Sequence, residues 1–121
     1  MVLALVDDLM FRSKIKSAAT QAGADVKFFG TRDGALNAMR DAPPALVILD
    51  LNNPRADPIG IVTTMKSEPS LASVPTLGYV SHVDTATIDA ARAAGVDEVL
   101  ARSAFTMRLA EIIGGSTTRR P

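Results

Sequence analysis

Two short apolar runs in the chain stop at acids. Val2-Leu3-Ala4-Leu5-Val6 closes on Asp7-Asp8, and Ala45-Leu46-Val47-Ile48-Leu49 closes on Asp50. Runs of this length without alternation read as strands buried on both faces, the kind that helices cover in parallel sheets. After the first run, Phe11, Ile15, Ala18, Ala19 and Ala22 recur at helical spacing opposite Arg12, Lys14, Lys16 and Gln21, and Gly23 is placed to end that helix. Residues 26–29 read as a short strand bounded by Gly30. Thr31 then caps a helix over 32–40 whose inward residues are Ala35, Leu36 and Met39, before Pro43-Pro44 breaks it.

The second half repeats the scheme. Beyond Asp50 lies a loop over 51–56, and Asp57-Pro58 supplies a cap followed by proline in the first helical turn, predicting a helix to about Lys66. Residues 75–80 form a fourth strand. Asp84 caps a helix that reaches Ala94 and stops at Gly95, and residues 96–101 form a more edge-like fifth strand carrying Asp97 and Glu98. Phe105, Leu109, Ile112 and Ile113 make the stripe of a last helix, closed by Gly114-Gly115. Five strands alternating with five helices through short connections predict right-handed crossovers and a doubly wound parallel sheet with helices on both faces. Acids at the ends of its strands then lie at the carboxyl edge, where open α/β sheets bind ligands.

Length allows one domain, taken as residues 1–115, with 116–121 as a disordered tail. With 13 basic and 13 acidic residues the formal charge is zero, which gives no electrostatic case for nucleic acid or a membrane surface as a partner. The apolar start is too short for a membrane span and runs straight into two aspartates, so it reads as a strand and not as a signal. No cysteine is present, which excludes disulfides and thiolate chemistry and suits a cytoplasmic setting. Any metal would be held by oxygen.

Val6-Asp7-Asp8, Asp50-Leu51-Asn52-Asn53-Pro54 and Gly95-Val96-Asp97-Glu98, set in five alternating units, resemble the receiver domain of bacterial two-component response regulators. The match runs from Val2 to about Ile113. It implies a flavodoxin-like (βα)5 fold, a phosphorelay role and Asp50 as the acceptor of a phosphoryl group from a histidine kinase or phosphotransfer protein. It also implies a Mg2+ site, with Asp8 and Asp50 as direct ligands, Asp7 acting through water and the Asn52 backbone carbonyl completing the set. The residues support this independently: clustered carboxylates either raise one pKa or recruit a hard cation. Read without the resemblance, Asp7 and Asp8 are helix-starting acids favoured by the helix dipole, and Asp50 and Asn52 form a turn.

The departures from the family pattern are equally specific. Where receivers carry lysine before proline at the end of strand five, this chain has Arg102-Ser103, with Ala104 inserted before Phe105. Arginine keeps the charge on a bulkier fork. It either points toward Asp50 or pairs with Asp97 or Glu98. The hydroxyl expected at the end of strand four falls on Val80, so Ser81 supplies it after a local shift or it is missing. The switch aromatic of strand five is replaced by Val99. His82, the only histidine, follows strand four and reads as a surface loop residue.

These features point to a stand-alone receiver acting through protein contacts, with an effector docking on the face of helix four, strand five and helix five, a surface also open to homodimerisation. The alternative is a pseudo-receiver, an interaction module that works without phosphorylation. An enzyme ranks last: no Gly-x-Gly-x-x-Gly follows the first strand, and the second aspartate that aspartate-dependent phosphohydrolases need is absent after Asp50.

Overall fold

The computed structural model of the protein describes residues 1–81 and 84–118. Its five strands are β1 (Val2–Leu5), β2 (Val26–Phe28), β3 (Leu46–Asp50), β4 (Thr76–Val80) and β5 (Glu98–Ala101), all parallel in the order β2-β1-β3-β4-β5. The order reverses between β1 and β3. The two runs that end in acids are therefore hydrogen-bonded neighbours, with Leu5 opposite Leu49. Every residue of β1, β3 and β4 is buried, whereas the edge strands β2 and β5 are partly exposed.

The helices are α1 (Leu9–Ala22), α2 (Arg32–Asp41), α3 (Pro58–Ser67), α4 (Thr85–Ala94) and α5 (Arg102–Thr118). Strand side chains alternate between the two faces. Val2, Ala4, Val6, Ile48, Leu77 and Tyr79 pack with α1 and α5, while Leu3, Leu5, Val47, Leu49 and Val80 join the α2–α4 side. The expected caps form. Thr31 accepts from the Gly34 amide, Asp57 from Gly60 and Asp84 from Thr87, and Gly23 and Gly95 close α1 and α4 with φ of 70° and 108°.

Boundaries differ from the sequence reading in two places that bear on function. β5 starts two residues late because Val96 and Asp97 are engaged elsewhere: the Val96 amide donates to the Ala91 carbonyl, and Asp97 bonds to Thr76. α5 begins at Arg102, directly at the end of β5, and runs through Gly114-Gly115 to Thr118. No proline interrupts its first turn, and glycine in a helix costs only about 1 kcal/mol, so neither glycine is bound to stop it.

At the amino edge of the sheet, Thr76 and Asp97 lock β4 to the turn before β5. The Asp97 carboxylate accepts from the Thr76 amide (2.8 Å) and hydroxyl (3.1 Å), and the same hydroxyl accepts from the Asp97 amide (2.9 Å). Toward the other edge, Gly78 admits Leu51: a Cβ there would lie 2.5 Å from a Leu51 methyl. The residue after Asp50 can therefore lie across β4 and fix the start of its loop.

Candidate functional site at the carboxyl edge of the sheet

Asp50 ends β3 beside the point where strand order reverses, and it is only 9% exposed. It is the one buried carboxylate among the described residues. Its Oδ1 accepts from the Asn52 amide at 3.0 Å. Burial pushes its pKa above the ordinary range; the Asn52 amide and the Arg102 guanidinium pull it down, and Asp8 and Asp7 add to the rise. Asp7, Asp8, Arg102 and the Asn52 amide thus all act on one carboxylate.

Asp8 has a second task. Its Oδ1 caps α1, accepting from the amides of Met10 (2.8 Å) and Phe11 (3.1 Å), as the helix-starting reading of this acid expected. Asp7 is exposed, next to Gly30. The donor set suits a hard cation in kind, being all oxygen, with the Asp7 carboxylate and one Asp8 oxygen outside the hydrogen bonds of the described residues. Those residues nevertheless contain no group of three acidic or histidine side chains gathered as a metal site. The cap holds the other Asp8 oxygen.

Asn52 does more than its backbone carbonyl suggested. Its side-chain oxygen accepts from the Ser81 amide (2.8 Å), and its Nδ2 donates to Asp84 (3.0 Å), the cap of α4. The Asp84 carboxyl is held below its usual range by the Thr87 hydroxyl and amide and then by Asn52. The loop after Asp50 is therefore tied to the start of α4. This tie was not foreseen, since it needs the β3 and β4 loops to be neighbours.

Val80 occupies the family's hydroxyl position and turns away, fully buried on the α2–α4 side. Ser81 lines an open cleft with Phe11, Arg102, Ser103 and Thr106. Arg102 is exposed, with its guanidinium carbon 5.7 Å from the centre of the Phe11 ring. It does not pair with Asp97 or Glu98: Glu98 binds Arg108 at 2.8 Å, and Asp97 has Thr76, with Lys66 4.0 Å away. Of the two readings, influence on Asp50 is the one consistent with its place, though it forms no ion pair within 4 Å among the described residues. Val99 pairs with Gly78 and packs on the opposite face. His82 lies outside the described residues.

The residue that sequence reasoning missed is Tyr79. It sits opposite Asp50 in the β3–β4 register and is fully buried, its ring stacked between Phe11 (4.9 Å) and Phe105 (4.6 Å). Its hydroxyl is buried with no partner among the described residues. A tyrosine within an otherwise apolar strand was the available signal.

No family model matches the chain. A probable chemotaxis protein CheY from Rhizobium etli is 28% identical over 102 residues, covering 84% of this chain and 79% of the relative. Among solved structures, a response regulator from Hahella chejuensis superposes with a TM-score of 0.86 at 20% identity, covering 98% of this chain and 95% of that one. The receiver domain of NtrX from Brucella abortus gives 0.81 at 20% identity, covering 99% and 100%. The chain thus has the flavodoxin-like fold of response-regulator receiver domains and is similar in sequence to CheY.

Among the described residues no helix is long and apolar enough to cross a membrane.

Proposed function

We propose that the domain receives a phosphoryl group on Asp50 from a histidine kinase or phosphotransfer protein, slowly by the standards of its class. The observation that carries this reading is the burial of Asp50 at the carboxyl edge. A carboxylate is costly to bury, and this one keeps an oxygen outside the hydrogen bonds of the described residues while a guanidinium stands near. In the transfer, a carboxylate oxygen attacks phosphorus, the bond from phosphorus to the donor breaks, and the donor leaves with the electron pair. Arg102 offers positive charge to the added phosphoryl oxygens. Asp7, Asp8, Asp50 and the Asn52 carbonyl would hold magnesium, which when bound offsets the phosphoryl charge. Slowness follows from Val80, which brings no hydroxyl, and from the exchange of an ammonium for a guanidinium.

Signalling would pass to an effector through the face of α4, β5 and α5. Met107, 87% exposed on α5, supports that assignment. A cytoplasmic setting belongs to the same reading.

A specific observation favours the pseudo-receiver as second reading. Asn52 already bridges the β3 loop to Ser81 and Asp84 without any phosphoryl group, so an ordered surface exists in the unmodified domain. Intact mass after incubation with acetyl phosphate and magnesium separates the two. Partial labelling that Asp50→Asn abolishes is expected; no labelling of the wild type leaves the pseudo-receiver.

A further inference from the structure

We infer that Tyr79 is a positioning residue of the Asp50 site, whose buried hydroxyl, unpartnered among the described residues of the resting protein, donates a hydrogen bond to a phosphoryl oxygen carried on Asp50. The inference deepens the acceptor reading and rests on it.

Four observations converge. In a parallel pair, residues in register send their side chains to the same face, and Asp50 is in register with Tyr79. The ring is clamped in a stack between Phe11, in the first turn of α1, and Phe105, in the first turn of α5. Both of those turns border the carboxyl edge, and the Phe11 ring also lies beneath Arg102. The hydroxyl is then left buried with no acceptor among the described residues, although an unmade hydrogen bond of this kind is expensive and a phenylalanine would pack equally well. Finally, the phenol feels Asp50: burial raises its pKa most, the Asp50 charge raises it further, Arg102 lowers it and Asp8 raises it slightly.

A phenol next to a carboxylate is hard to ionise and for the same reason a ready donor. Among the described residues it is the one hydroxyl side chain buried on the α1/α5 face beside Asp50. Val80, where the family's hydroxyl would be, faces the other side. The charged groups around the pair come from several elements: Asp50 on β3, Asp7 and Asp8 after β1, Lys14 on α1 beside Phe11, and Arg102 on α5.

The chain has one tyrosine and no tryptophan, so its tyrosine fluorescence reports Tyr79 alone. As the wild type is labelled with acetyl phosphate and magnesium, emission should change in step with the label, and Asp50→Asn, which takes none, should show no change. In the second arm, wild type and Tyr79→Phe are labelled with acetyl phosphate and magnesium and followed by intact mass. The phenylalanine variant should lose its label roughly ten- to hundredfold faster, the worth of one hydrogen bond to a charged group, without unfolding at lower urea. An emission change that persists in Asp50→Asn, or none in the labelled wild type, overturns the inference. So does an equal label lifetime in wild type and Tyr79→Phe. If the wild type takes no label, the acceptor reading fails and this inference falls with it, whereas a labelled wild type with an unmoved lifetime in Tyr79→Phe removes the inference alone.

Discussion

At the amino edge of the sheet, Thr76 and Asp97 exchange three hydrogen bonds, and the threonine hydroxyl is used both as donor and as acceptor. At the carboxyl edge, Asp50 is buried with a raised pKa, and the Tyr79 hydroxyl and the side-chain Nδ2 of Asn53 have no partner among the described residues. Both buried side-chain atoms without partners among the described residues fall on that second edge. The same strand, β4, carries a satisfied hydroxyl at one end and an unsatisfied one near the other. Groups that serve folding find partners within the fold, whereas groups that serve a ligand keep theirs open.

The comparison can be broken by substitution. Tyr79→Ala removes a ring held between two others and should cost about 3–5 kcal/mol, read from urea unfolding. That loss would assign the structural role at the carboxyl edge to the ring. Thr76→Val keeps shape but leaves the Asp97 amide without its acceptor, and should cost about 1–3 kcal/mol. Labelling of Asp50 should be unchanged in this variant, because the two edges share no contact; a change in labelling would mean that they are coupled.

A smaller and pH-dependent effect is expected from Asp50→Asn. The folded carboxyl has a pKa above its ordinary value of 3.8, so the folded state binds the proton more tightly than the unfolded chain. The group's contribution to stability is therefore fully present below pH 3.8 and is lost as pH rises through the folded value. Asp50→Asn should remove that slope and raise the urea midpoint at neutral pH. An unchanged slope would place Asp50 in contact with solvent. The smallest effect should come from Tyr79→Phe, within about 1 kcal/mol of wild type and on the stabilising side, since the hydroxyl it deletes has no partner to lose. A clear destabilisation would mean that this hydroxyl is bonded in the resting protein, and the contrast between the edges would disappear.

The sequence by itself determined the five alternating units, the acids after the first and third strands, and the caps at Thr31, Asp57 and Asp84. These depend on local periodicity and on side chains bonding to amides two or three residues away. It also exposed the missing hydroxyl at Val80 and the arginine at 102, both defined by their distance along the chain from a strand end. Only the tertiary structure decided that Asn52 ties the Asp50 loop to α4, that Arg102 lies over Phe11 and that Tyr79 stands opposite Asp50. Each of these depends on which strands are neighbours and in what register, and the sheet order puts side by side residues far apart in sequence. Register cannot be read from one strand alone, because its partners are set by packing on both faces of the sheet.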